Sequence, residues 1–101
     1  MIVTGWSNSG SGYGLKISIQ DRDKYFDREM KFIILTLKEL KKDVKINIDK
    51  DSFWNSTCRE LIKKEIGQWL REIGKDTWGK GKPPKFEMKH ISDNKFLISD
   101  N

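Results

Sequence analysis

The chain holds one cysteine, Cys58, and one histidine, His90. A single cysteine excludes an intrachain disulfide. One Cys and one His far apart in sequence do not supply the four ligands of a structural zinc site, so no metal is expected. Proline is confined to the adjacent pair Pro83-Pro84. No apolar run approaches the roughly 20 residues that cross a bilayer, and no membrane partner is expected. The segment Met1-Ile2-Val3-Thr4-Gly5-Trp6 has neither the basic nor the apolar region of a signal peptide, so the expected location is cytoplasmic. A serine nucleophile elbow, a zinc-protease helix and a paired acid–base carboxylate motif are all missing. The chain therefore reads as no enzyme, and no cofactor is expected.

What is present is charge and aromatic surface. The 101 residues carry a net charge of +5, and charged residues make up 35% of the chain. A basic balance attracts nucleic acid or another polyanion over long range. Aromatic residues are 11% of the chain, which argues against disorder. The length fits one domain, residues 1–101, with a single core.

Periodicity gives an α+β fold. Ile2 to Trp6 reads as a short edge strand. A Ser/Gly loop follows, and then Leu15, Ile17 and Ile19 alternate with polar residues as a strand with one wet face. Asp21 to Asp27 is a charged turn with room for one helical turn. Lys31 to Leu37 carries both a helical stripe and a density of β-favouring residues, and we read it as a strand. Val44, Ile46 and Ile48 form its hairpin partner after a charged connection. Trp54, Cys58, Leu61, Ile62, Ile66, Trp69, Leu70 and Ile73 recur at steps of three and four, which predicts one long helix over about 52–73. Asp51 or Ser52 can cap its start, and Thr57 with Glu60 forms a capping-box pattern. Gly67 lies inside it, as a close crossing against the sheet would require, and Gly74 fits a left-handed C-cap. Phe86, Met88 and His90, then Phe96 to Ile98, make a terminal hairpin around a turn at 92–94. The expected architecture is a mainly antiparallel sheet of about five to six strands packed on that one helix. The strand at 31–37 is apolar on both faces, and a homodimer is the natural way to cover the second.

The sharpest motif is Trp78-Gly79-Lys80-Gly81-Lys82-Pro83-Pro84-Lys85-Phe86, which has three lysines and no acid. As a connector it buries Trp78 and Phe86 at its ends. As a site it presents Lys80, Lys82 and Lys85 to phosphates, with Trp78 available for stacking on a base or sugar. Lys75 extends the basic run. Tyr13 and Lys16 join it if the two glycine-bearing loops meet at one end of the sheet.

The remaining motifs are weaker. Gly10-Ser11-Gly12-Tyr13-Gly14 lacks the spacing and the following helix of a phosphate-binding loop. Asp21, Asp23, Asp27 and Glu29 are interleaved with Arg22, Lys24 and Arg28 and read as a solvated turn. An EF-hand reading of Asp49 to Asp51 fails because Trp54 occupies the sixth position, where glycine is required. Cys58 reads as an inert thiol on the apolar face of the long helix, and His90 as a strand residue in phase with Met88. The polar face of that helix mixes Arg59, Lys63, Lys64 and Arg71 with Glu60, Glu65 and Glu72 and is a solvated face. The sequence thus supports a small basic binding protein for nucleic acid or another polyanion. The alternative is a protein-interaction or assembly domain, homodimeric, with no nucleic-acid role.

Overall fold

Alternation of buried and exposed residues decides most of the elements, because successive strand residues point to opposite faces. A computed structural model describes residues 1–8, 12–55 and 58–100. Strand β1 spans Ile2–Ser7 and β2 spans Tyr13–Lys16. Helix α1 follows at Ile19–Tyr25, capped by Ser18, whose hydroxyl accepts from the Asp21 N–H at 3.1 Å. Strands β3 (Phe32–Leu37) and β4 (Lys42–Asn47) form a hairpin around a 3₁₀ turn at Lys38–Leu40. Helix α2 is the single turn Asp51–Trp54, β5 is Glu60–Ile62 and α3 is Lys64–Glu72. Strands β6 (Lys85–Ser92) and β7 (Lys95–Ser99) close the chain as a second hairpin.

Among the described residues these strands form one seven-stranded sheet in the order β4-β3-β7-β6-β1-β2-β5. Every neighbouring pair is antiparallel except β3 and β7, which run parallel. The sheet curls until its edge strands β4 and β5 approach each other, giving a nearly closed barrel. Its interior is filled by Val3, Leu15, Ile33, Leu35, Ile46, Phe53, Leu61, Trp69, Phe86, Met88 and Phe96, each at most 3% exposed. Burial of each large side chain contributes about 2 kcal/mol.

The expected sheet on one long helix is therefore incorrect. The segment 52–73 splits into α2, β5 and α3. A continuous helix would bury Cys58 and Ile62, yet Cys58 is exposed and Ile62 is 43% exposed. The reason is the open edge of β2, whose backbone groups need partners. Gly14, Leu15 and Lys16 pair with Ile62, Leu61 and Glu60, and the Ile17 N–H donates to the Arg59 carbonyl at 2.9 Å. Leu61, Ile66, Trp69 and Leu70 of the expected stripe do face one core, but from the two elements β5 and α3, while Phe53, which lies off that stripe, joins them from α2. Glu60 lies in β5 rather than in a capping box; its proposed partner Thr57, like Gly10 and Ser11 of the glycine loop, lies outside the described residues.

Smaller expectations also change. β1 is interior, between β6 and β2, and not an edge. The strand expected to continue to Gln20 stops at Lys16, where the chain turns into α1. The strand at 32–37, the hairpins and the left-handed Gly74 (φ 73) are as expected. The outer face of β3 is covered in part. The Lys45 ammonium lies 4.3 Å from the Phe32 ring centroid, and Ile34 stands in register between Lys45 and Lys95. Lysine stems lie well over apolar surface, so these two side chains are placed to cover part of that face.

Candidate functional site

Tyr13, at the end of the first glycine-bearing loop, meets the connector that carries the second. Tyr13 opens β2 and lies against α3 where Gly67 leaves space; a Cβ there would sit 3.0 Å from Tyr13 Cδ2. That is the close crossing that the glycine required. The Tyr13 hydroxyl donates to the Asp76 carbonyl at 3.0 Å. The Trp78 ring meets Tyr13 edge-on with centroids 6.4 Å apart, and the Arg71 guanidinium lies 5.9 Å from the Tyr13 ring. One aromatic thus ties the basic connector to the end of the barrel.

Trp78 is consequently half-buried and not the core plug expected of it. The slot against Phe86 belongs to Trp69, with ring centroids 4.8 Å apart. Phe86 itself is buried as expected, at 3% exposure. The diproline fixes the exit of the loop. The Gly5 N–H donates to the Pro84 carbonyl at 2.8 Å, and a Cβ on Gly5 would come within 2.9 Å of Pro84 Cγ.

The cations divide into two groups. Lys75 is engaged: its ammonium bonds Asp100 Oδ1 at 2.5 Å and lies over the Phe86 ring at 5.7 Å. Lys80, Lys82 and Lys85 are exposed and Lys16 is half-buried, and among the described residues no ion pair engages any of the four. Lys16 and Lys85 lie in register on either side of Thr4, on the outer face of the sheet. Acids near them have other partners. Glu87 holds the N-terminal ammonium at 2.5 Å, and Glu60 accepts from the Arg59 N–H at 2.8 Å. Arg71 was not among the expected site residues. Its place on a mixed-charge helix gave no signal, and only the packing of α3 on Tyr13 brings it in.

The other candidates separate from this end. Cys58 is exposed on the connection before β5. His90 is exposed and tilts against Tyr25 and Phe96, with Nε2 2.8 Å from the Asp93 carbonyl. His90 pairs with Phe96 and so stays in phase with buried Met88, as expected; the register shift follows it, between His90 and Ser92. Asp27 and Glu29 line an open depression of about 420 Å³ with Met30, Phe32 and Asn94. Among the described residues no three His, Cys, Asp or Glu side chains gather as a metal site. None of their helices is long and apolar enough to cross a membrane.

Comparison of the chain with protein-family models, with curated proteins and with solved structures finds no match.

Proposed function

We propose that this protein is a small, non-catalytic, cytoplasmic binder of nucleic acid or a related polyanion, and that the loop at 78–86 is its main contact. The observation that carries this reading is that Lys16 and Lys85 flank Thr4 on the outer face and Lys80 and Lys82 are exposed on the adjoining loop, none of them ion-paired among the described residues. Tyr13 and Trp78 support it by holding the loop in one place, which lowers the ordering entropy that binding must meet. Arg71 adds a cation at the same end. Lys75 belongs to the surrounding field rather than to direct contact, since Asp100 holds it.

Elution from heparin and from single-stranded DNA resin along a salt gradient tests the reading. Four phosphate contacts on a single strand predict a slope of log K against log salt of about −3. A Lys80/Lys82/Lys85→Glu variant should elute at clearly lower salt. Equal elution of the two proteins, or no retention of the wild type, removes the proposal.

A second reading is an assembly domain that works as a homodimer. It draws on Ile2, Ile62 and Ile91, which are 54%, 43% and 58% exposed. Light scattering that gives a strict monomer across concentration ends it.

A further inference from the structure

The chain has four tryptophans, and three of them have an evident structural role. Trp69 donates to Glu39 Oε1 at 2.8 Å and packs on Phe86. Trp54 donates to the Ile48 carbonyl at 2.9 Å and packs on Phe53. Trp78 packs on Tyr13. Trp6 differs. It is half-buried, and among the described residues no hydrogen bond or aromatic ring engages it.

Its place in the sheet is set by register. Gly5 pairs with Leu15, which is fully buried, so Trp6 points to the outer face. Its cross-strand partner is Gly14, which has no side chain to cover the indole, and Ile62 stands beyond Gly14 in the same row. The next row on this face is Lys85, Thr4, Lys16 and Glu60 across β6, β1, β2 and β5. Rows two residues apart are about 7 Å apart and neighbouring strands about 4.8 Å apart. A partly exposed indole with no aromatic or hydrogen-bonding partner among the described residues therefore stands within one nucleotide's reach of two unpaired lysines.

We infer that this outer face is a platform for single-stranded nucleic acid. One base stacks on Trp6, and the adjoining phosphates meet Lys16 and Lys85. The strand continues past the diproline towards Lys80 and Lys82. A duplex does not fit this chemistry, because its base faces are already covered by their neighbours, whereas an unpaired base offers a free face. The inference rests on the polyanion reading above and narrows it to one ligand class.

Fluorescence anisotropy with a labelled oligothymidylate, set beside the same measurement on a duplex of equal length and beside heparin elution, tests it. Wild-type protein should bind the single strand more tightly than the duplex. Trp6→Leu should weaken oligothymidylate binding about tenfold, the loss of one stacked base, while heparin elution stays unchanged. Trp6→Phe should recover most of the affinity. Duplex binding as tight as single-strand binding overturns the inference without needing any variant. So does a folded Trp6→Leu protein with unchanged oligothymidylate affinity. In both cases salt-sensitive heparin retention leaves the polyanion reading standing; wild type that binds neither heparin nor oligonucleotide removes both.

Discussion

Tyr13 and Trp78 are 65 residues apart in the chain and meet edge-on, with ring centroids 6.4 Å apart. The hydroxyl of Tyr13 reaches past that contact to the Asp76 carbonyl. Replacing Tyr13 by Phe keeps the ring and removes one hydrogen bond, a net loss of about 1 kcal/mol. The effect should be local. Hydrogen exchange should quicken in the segment 75–82 and stay unchanged in β3 and β4. Uniform loss of protection across the sheet would show that Tyr13 does not anchor the loop.

Glycines around this site rank by what a Cβ would strike. At Gly14 it would lie 2.5 Å from the Leu61 carbonyl oxygen, which is backbone and part of the β2–β5 pairing. At Gly5 the neighbour is Pro84 Cγ at 2.9 Å, a ring with some freedom to shift. At Gly79 there is nothing within 4 Å. Urea unfolding should order the alanine variants accordingly. Gly14→Ala should lose roughly 1–3 kcal/mol and Gly5→Ala less. Gly79→Ala should be neutral or stabilising by about 0.5 kcal/mol. A harmless Gly14→Ala would contradict the pairing of β5 with β2.

That pairing also marks the limit of what the sequence makes legible. Val44 and Ile46 alternate with polar residues, and that strand reading holds because period two maps directly onto inside and outside; Phe32 and Ile34 make the strand at 32–37 apolar on both faces, and its reading holds on β-favouring residues instead. Between 52 and 73 the same kind of inference fails. A core enclosed by a barrel accepts apolar residues from any element that caps it, so Leu61 in β5 and Ile66, Trp69 and Leu70 in α3 fit a helical stripe without sharing a helix. Only a long-range fact, that β2 has an unpaired edge, forces a strand at 60–62. The candidate site divides in the same way. The lysines of the loop are visible as composition, and Gly67 signals that something approaches α3. That the approaching group is Tyr13, and that it brings Trp78 and Arg71 together, depends on the closing of the sheet.

Arg22 is only 9% exposed and is committed to structure. Its Nη1 donates to the carbonyls of Phe53 at 3.2 Å and Asn55 at 2.7 Å, at the end of the single-turn helix α2. Its guanidinium also lies 5.5 Å from the Trp54 ring. Arg22→Met keeps much of the stem and leaves both carbonyls without this donor. The expected loss is about 2 kcal/mol, read from the urea midpoint. Trp54 also loses one of the two guanidinium groups over its ring, Arg28 staying at 5.1 Å, so tryptophan emission of the native state should shift. A variant as stable as wild type would mean that water replaces the guanidinium at no cost.

Glu39 links the 3₁₀ turn to α3 and to the end of β7. Partial desolvation pushes its carboxyl up. The Trp69 indole at 2.8 Å, the Asp100 backbone N–H at 3.0 Å, its own amide and the charge of Lys38 outweigh that and hold it below the usual glutamate value. A carboxyl depressed in the folded state binds protons more readily when unfolded. Its contribution is therefore complete above the ordinary glutamate value and disappears as pH falls through the lower folded value. Urea midpoints measured from neutral to acidic pH should show Glu39→Gln less stable than wild type at neutral pH. The two curves should converge as the medium becomes more acidic than the ordinary glutamate value. The indole Nε1–H resonance of Trp69 gives an independent check, since it reports the charge on its acceptor. It should titrate below the usual glutamate range, and a midpoint at or above that range would show that desolvation wins.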